Sequence, residues 1–342
     1  MLRLATWPPE ADAAVYVDMA ANLRQFTTPP LGFRLMAPWL VHLLGWAPLA
    51  GFALVNTVAL LLTAVLVARS VTRLGAPPGA AWMAGALFLV SPATGMALTN
   101  PCLVDPLAHA FTAAGLLAIV EGRRVVTALV IAVGVFARES VLFLILPAVA
   151  SAWVTRPDTR TFARGLPWLG LPLASFALLH TPGVFFDNEA SYVRHFTREK
   201  IRIVLAHKSA TGGIPRNVVF TWVATVGPVI VPLVRGFRAA DARTRALGWL
   251  VLPVLALVPF IKDTHRVVLL AAPLGCLFAV LGMRSRREGW VHLALTALTV
   301  AALFLLPSRG ALKYAMTALG LLGSPAYALF EHWRLASRAQ GR

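Results

Sequence analysis

Acidic and basic side chains occur together in short stretches that separate long apolar segments. The stretch DPLAHAF places Asp105 and His109 four residues apart, which is one turn apart on the same face of a helix. A carboxylate and an imidazole in that arrangement can share a proton, bind a metal or satisfy each other. The stretch ARESVLF places Arg138 next to Glu139 in a tight turn, which suits either a self-satisfied ion pair or a functional site.

A later stretch, FIKDTHRVV, holds Lys262, Asp263, His265 and Arg266 within five residues. So many ionisable groups exceed what a simple connector needs, so we expect a functional role. Arg34 stands at the start of the first long apolar run. It either belongs to a functional site or extends its guanidinium group to a lipid headgroup at the membrane surface. Arginine offers a bidentate fork for a phosphate group, and lysine offers a point charge. A carboxylate nearby can deprotonate an incoming hydroxyl group. Together these groups suit sugar transfer from a polyprenyl-phosphate donor.

The N-terminal stretch Glu10–Phe26 has the pattern of an amphipathic helix. Asp12 and Tyr16 are neighbours on one face, and Asp18 is turned well away from Asp12. We expect this helix to lie on the outer leaflet and to hold Asp12 over the mouth of a bundle. The alternative is that Asp12 only caps the helix. The apolar stripe that would enter lipid consists of Val15, Met19, Leu23 and Phe26.

Composition indicates which elements must position these groups. The 342 residues are 58% hydrophobic and 13% charged, with a mean hydropathy of +0.74. A soluble chain carries about 25% charged residues, so a polytopic membrane protein is the class that fits. The net charge of +17 lies in short clusters without a continuous basic stripe, which excludes a nucleic-acid partner. Cys102 and Cys276 lack metal or redox spacing and are expected to be packing residues.

The arginine clusters set the expected topology. By the positive-inside rule they are cytoplasmic, and the turns between them face outward. The clusters are Arg69 and Arg73; Arg123 and Arg124; Arg156, Arg160 and Arg164; Arg235, Arg238, Arg243 and Arg245; Arg284, Arg286 and Arg287; and Arg334, Arg338 and Arg342. The apolar runs between them predict spans near 36–68, 78–96, 103–120, 125–137, 140–154, 165–180, 217–234, 246–261, 266–283, 290–306 and 311–330.

The expected fold is therefore all-α: a polytopic integral membrane helical bundle of about eleven spans. Residues 1–342 form a single membrane domain. The first run is too long for one span, so its start is expected to dip or lie along the interface before a true span near 48–68. Residues 1–34 form an outer-face amphipathic segment, and 181–216 form a long extracytoplasmic loop that contains Arg194 and His195.

The order of these stretches resembles bacterial members of the GT-C glycosyltransferase superfamily. The resemblance covers residues 10–275 and rests on DAAVYVDMA, PPLGFRLMAPWL, DPLAHAF, ARESVLFLILP and DTHRVVLLAAP. It implies a GT-C-like fold in the bacterial inner membrane and an extracytoplasmic site for a polyprenyl-phosphate-linked sugar. It also implies that Asp12 is the catalytic acid, with Asp18 as the alternate, although the family's acidic motif is relaxed here.

By the same likeness, Arg34, Arg138 and Arg266 are expected to bind the donor phosphate or organise the site. The neighbouring Glu139, Lys262, Asp263 and His265 belong to the same expected group, and Tyr16, Asp105, His109, Arg194 and His195 are expected to line the site. Members of this superfamily begin with a cytoplasmic N-terminus and a span before the first outer loop. Either residues 1–34 cross the membrane without a span of their own, or a first span precedes them, and we favour the second, which predicts an in-frame apolar stretch upstream of Met1.

Other functions fit parts of the pattern. A surface-polysaccharide ligase or polymerase would use Arg194, His195 and Arg198 in the loop 181–216, and a lipid or solute transporter would need ionisable groups near mid-membrane. Expected partners are the lipid-linked sugar, a glycan, lipid or protein acceptor, and membrane lipids. No cofactor is certain. A divalent metal is a further option, since Asp12, Asp18, Asp105 and His109 could hold one, but no spacing demands it. If Asp12 is the base, it should lie within about 10 Å of Arg266 or Arg138.

Overall fold

The computed structural model describes six stretches of the chain: residues 11–24, 31–155, 166–181, 226–257, 264–305 and 311–340. The single positions 158, 159, 163, 184, 185 and 206 are described as well. Within these residues every regular element is helical, which confirms the all-α prediction.

The α-helices are numbered here in chain order. They are α1 Ala11–Ala21, α2 Met36–Leu44, α3 Pro48–Arg73, α4 Pro78–Leu89, α5 Pro92–Thr99, α6 Asp105–Glu121, α7 Arg124–Gly134, α8 Ile145–Thr155, α9 Gly170–Leu179, α10 Ile230–Ala239, α11 Ala242–Ala246, α12 Val251–Leu257, α13 Thr264–Leu269, α14 Ala272–Leu281, α15 Arg286–Leu305 and α16 Ala311–Gln340. Short 3-10 helices cover Leu31–Phe33, Glu139–Leu144, Pro167–Leu169, Gly227–Val229 and Leu247–Leu250.

Local sequence explains several helix boundaries. Prolines stand in the first two positions of α3, α4, α5 and α6, where the missing N–H has no helical partner to lose. The long apolar run that starts at residue 36 breaks at Gly45, whose φ of 64° lies in the left-handed region. This break separates α2 from α3, as the expected dip before a span near 48–68 requires.

Helix α3 lies at the centre of the packing, against α2, α4, α6 and α14. Its polar side chains Asn56, Thr63 and Ser70 are buried, whereas a row of large apolar side chains is exposed. The exposed row consists of Leu54, Val58, Leu61, Leu62 and Val65. The polar residues are buried beside apolar ones such as Phe52 and Val67, and the outward row of large apolar side chains is an arrangement that water does not favour.

By length and composition, α3 is the helix of the described residues that can cross a membrane unbroken. Helices α4 and α5 pass the same test together, with a bend of 41° between them. Several other predicted spans correspond to shorter apolar helices, for example Arg124–Gly134 and Ala272–Leu281. The number of spans stays a prediction.

Helix α1 buries part of the apolar stripe expected from its sequence. It ends at Ala21, and it packs against α2, α3 and the 3-10 helix Leu31–Phe33. Ala13, Tyr16 and Met19 are buried in a core cluster of the protein. Of the expected stripe, Met19 is buried and Val15 packs partly buried against the same cluster, and Leu23 is partly exposed, so a lipid contact of the rest of this face stays a prediction. Phe26 lies outside the described residues.

Candidate functional site

Arg266 joins two carboxylates from distant parts of the chain. Its Nη1 donates to Oδ2 of Asp12, and its Nε and Nη2 donate to Oδ2 of Asp105 at 3.0 and 2.7 Å. Asp12 lies in the first turn of α1, and Asp105 is the first residue of α6. The contact satisfies the distance expected between Asp12 and Arg266. The catalytic role of Asp12 stays a prediction.

Arg138 completes the other side of Asp105. Its Nη1 forms an ion pair with Oδ1 of Asp105, so the two carboxylate oxygens face two different arginines. The three side chains are almost fully buried, with exposed fractions of 5%, 8% and 5% for Arg138, Asp105 and Arg266. Charges removed from water to this extent are stable only when paired, so this triad is a tightly coupled unit.

A third arginine extends the cluster toward α1 and the turn after α7. Arg34 Nη1 donates to the hydroxyl oxygen of Tyr16 at 2.7 Å, and its Nε lies 3.5 Å from Oε2 of Glu139. The adjacent residues Arg138 and Glu139 thus reach partners on other elements, Asp105 and Arg34 respectively. The simple ion pair between sequence neighbours is therefore not the main interaction of this turn.

Arg34, Arg138 and Arg266 face the carboxylates of Asp12, Asp105 and Glu139, so the charges of this six-residue cluster balance. We refer to these six side chains as the arginine–carboxylate cluster. Asp12 is its most exposed carboxylate, with a quarter of the side chain accessible (25%). An incoming hydroxyl group could therefore reach Asp12 more easily than Asp105.

Asn56 fixes the segment that carries Asp105. Its Nδ2 donates to the backbone oxygens of Pro101 and Leu103, at 2.6 and 2.7 Å, just before α6 begins. The N-terminus of α6 in turn favours a carboxylate at Asp105. Asn56 was not among the predicted site residues. Its position as a single carboxamide within the apolar run FALVNTVALLL could have indicated a functional or structural role.

Several predicted residues are not brought to the cluster. Asp18 is exposed, and its Oδ1 accepts from Asn22 Nδ2 at 3.0 Å. His109 is buried, its ring packs edge-on against Phe88, and its Nδ1 has no partner among the described residues. The predicted pairing of Asp105 with His109 is not seen, because Asp105 binds the two arginines instead.

Other predicted residues lie outside the described part of the chain: Lys262, Asp263, Arg194, His195 and the side chain of His265. A metal site from Asp12, Asp18, Asp105 and His109 finds no support in the geometry. Among the described residues, no group of three His, Cys, Asp or Glu side chains is arranged to hold a metal ion.

The C-terminal end of α6 carries a second charged cluster. Glu121 contacts Arg73 at 2.8 Å and Arg123 at 2.9 Å, with Arg69 at 4.0 Å. Arg243 donates from Nη2 to the backbone oxygen of Ile119 at 3.0 Å. Three of the arginine groups that the sequence assigned to one side therefore meet at this end, whereas the arginine–carboxylate cluster lies at the Asp105 end.

Comparison with known proteins adds no assignment. No family model matches the chain, and neither a curated protein nor a solved structure matches it.

Proposed function

We propose that this chain is a polytopic membrane protein that transfers a sugar from a polyprenyl-phosphate donor to an acceptor at the extracytoplasmic face. The arginine–carboxylate cluster is its active site. The observation that carries the proposal is Arg266, which binds Asp12 and Asp105 in one buried arrangement with Arg138 beside it.

The exposed apolar row of α3 supports the membrane placement. Leu54, Val58 and Val65 are 37%, 54% and 56% exposed, while Asn56 and Thr63 are buried. In lipid this arrangement carries no hydrophobic penalty, since the outer face meets hydrocarbon and the polar groups find protein partners. In water the same face would be a long apolar patch.

The two ends of α6 support the orientation. The helix has 17 residues and is therefore about 25 Å long, close to the hydrocarbon thickness of about 30 Å. The excess of arginine around Glu121 supports a cytoplasmic position for that end by the positive-inside rule. The Asp105 end, with the arginine–carboxylate cluster, then faces outward.

The chemistry of the cluster suits phosphate release from a sugar. Arg266 can bind phosphate oxygens in bidentate fashion once Asp12 leaves it, and the positive charges of Arg34 and Arg138 beside it help stabilise the leaving polyprenyl phosphate. In the structure the carboxylate of Asp12 is paired with the guanidinium group of Arg266. A donor phosphate that competes for Arg266 would release the Asp12 carboxylate to accept the proton of the acceptor hydroxyl. The deprotonated oxygen then attacks the anomeric carbon, and the bond to phosphate breaks.

An apolar cavity of about 430 Å³ lies beside the helix that carries Arg266. Val268, Leu233 and Phe237 line its wall, and Val268 is two residues from Arg266 along α13. A long prenyl chain needs an apolar surface of this kind close to the phosphate site.

The test is Asp12→Asn, with Asp18→Asn as the matched control. Asparagine retains the shape of aspartate and its ability to accept from Arg266, but it cannot take a proton. We expect Asp12→Asn to leave expression and folding intact and to lower transfer by a factor of about 10² to 10⁴. Asp18→Asn should lose much less, because Asp18 is exposed and bonded to Asn22.

The assay uses the purified full chain in lipid nanodiscs with polyprenyl-phosphate sugars as donors and product analysis by mass spectrometry. Normal turnover by Asp12→Asn would remove Asp12 as the base.

A further inference from the structure

A second cavity, of about 640 Å³, lies between α10, α15 and α16, away from the arginine–carboxylate cluster. One wall is apolar and consists of Ile230, Val231, Val234 and Ala328. The rim is basic and consists of Arg235, Arg238, Arg284 and Arg334, with His332 beside them. We refer to it as the amphipathic cavity.

Two of the rim arginines are already neutralised. Arg235 forms a hydrogen-bonded ion pair with Glu288, and Arg334 donates to Oε2 of Glu331 at 2.7 Å. Glu288 is held further by the backbone N–H of Arg284 at 2.6 Å. Both carboxylates of the cavity are therefore occupied by arginines of the cavity itself.

Arg238 and Arg284 are left as the excess positive charge. Their guanidinium groups are exposed, and no carboxylate partner for either is seen among the described residues. Two guanidinium groups above an apolar wall match a ligand with a phosphate at one end and a hydrocarbon chain at the other.

The cavity lies at the Glu121 end of the bundle. The last turn of α10, which carries Arg238, also borders a separate cavity lined by Arg73 and Arg243. Those two residues belong to the arginine groups that surround the end of α6. A basic pocket between helices at the cytoplasmic side of a membrane is a setting in which anionic lipid headgroups bind.

We infer that the amphipathic cavity binds an anionic phospholipid of the cytoplasmic leaflet. Its phosphate contacts Arg238 and Arg284, and an acyl chain lies along Val231, Val234 and Ala328. Leu329 and Trp333, which follow the lining residues Ala328 and His332 in α16, are apolar side chains that are 70% and 66% exposed. A small soluble phosphate would leave this wall uncovered, so the apolar area favours a lipid.

The inference rests on the membrane placement proposed above and does not depend on sugar transfer. Lipid binding is measured by thermal unfolding of the full chain in detergent micelles, with phosphatidylglycerol added in increasing amounts. Phosphatidylcholine with the same acyl chains tests the charge of the headgroup. Glycerol 3-phosphate tests whether a soluble phosphate suffices. A ligand that binds only the folded state raises the unfolding temperature with its concentration.

The informative variant is Arg238→Gln/Arg284→Gln. Its matched control is Arg286→Gln/Arg287→Gln, which removes the same charge from exposed arginines that do not line the cavity. We expect phosphatidylglycerol to stabilise the wild type and the control alike, and its apparent affinity for the lining variant to fall by about tenfold or more. Phosphatidylcholine and glycerol 3-phosphate should have little effect.

A second variant, Ala328→Trp, fills the apolar wall without a change of charge. It should weaken the response to phosphatidylglycerol while all four rim arginines remain. The inference is overturned if phosphatidylcholine stabilises as well as phosphatidylglycerol, or if glycerol 3-phosphate matches the lipid. Equal losses in the lining and control variants would overturn it too. None of these results bears on Asp12→Asn, so a failure here is separate from a failure of the transferase proposal.

Discussion

Asp105 is the residue on which the arginine–carboxylate cluster depends most. Its two oxygens face Arg138 and Arg266, and all three side chains are nearly inaccessible. Removing one member of a buried ion pair is costly, because the remaining charge keeps its desolvation penalty and loses its partner. Asp12 contributes less to stability, because its side chain is partly exposed and Arg266 keeps its ion pair with Asp105 when Asp12 is removed.

We therefore expect Asp105→Asn to lower the free energy of unfolding by about 3–5 kcal/mol. Denaturant titration in detergent, followed by tryptophan fluorescence, measures this loss. Asp18→Asn is the control and should stay within about 0.5 kcal/mol of the wild type. Equal stability of Asp105→Asn and the wild type would mean that the triad contributes nothing net to folding.

At the scale of helices, α3 packs along α6 and fixes the segment before it by the hydrogen bonds of one side chain. Asn56 is buried in α3, and its two bonds to Pro101 and Leu103 fasten the segment just before Asp105. This contact makes Asn56 a positioning residue for the cluster, although it touches none of the charged groups in the contacts described above.

We expect Asn56→Ala to loosen residues 100–105 while α3 stays helical. Hydrogen exchange by mass spectrometry should then show faster exchange at Leu103 and its neighbours, since local opening costs less free energy there. The control is Thr57→Ala, because the Thr57 hydroxyl donates within its own helix, to the backbone oxygen of Ala53 at 2.7 Å. Unchanged exchange in Asn56→Ala would show that backbone packing alone fixes this segment.

The short helix α11 begins with a side-chain cap. Asp241 accepts from the backbone N–H of Thr244 at 2.6 Å, and this bond is the main reason that the pKa of Asp241 lies below its usual value. A carboxyl group whose pKa is lowered by folding stabilises the folded state above its unfolded pKa. That contribution disappears as the pH falls through the folded pKa.

Asp241→Ala should therefore cost about 1 kcal/mol near neutral pH, and the difference from wild type should shrink below about pH 4. Asp241→Asn should cost little at neutral pH, since asparagine caps nearly as well. Unfolding temperatures measured across the pH range test both statements. A difference between Asp241→Ala and the wild type that stays constant down to pH 2 would contradict the cap.

At the scale of the whole molecule, charge is divided between two ends of an apolar bundle. The arginine–carboxylate cluster lies at the Asp105 end of α6, and arginines exceed acids around the Glu121 end. If the bundle spans a membrane, reagents added from outside reach only one of these ends.

Single cysteines in a background without Cys102 and Cys276 test this arrangement. We expect an impermeant thiol reagent applied outside intact cells to label Ala21→Cys on α1 and to leave Arg286→Cys unlabelled until the membrane is opened. Both positions are exposed in the structure, so access and not burial decides the result. Labelling of Arg286→Cys from outside would reverse the topology.

The helical class followed from the sequence alone. Long apolar runs with few charges leave helices as the simplest way to satisfy the backbone, and the prolines and Gly45 mark several ends of those helices. The grouping of Asp12, Arg34, Asp105, Arg138 and Arg266 could also be predicted. Counting passes between arginine clusters places all five on one side, and the structure brings them together.

Only the tertiary structure decided which groups pair. Asp12 and Arg266 are 254 residues apart, and no local periodicity relates them. Helical spacing predicted Asp105 with His109, but charge-assisted hydrogen bonds from Arg266 and an ion pair with Arg138 are stronger than one contact to an imidazole. The same limit applies to α1. Its periodicity indicated an apolar face, and only the packing shows that Met19 of that face is buried against the protein.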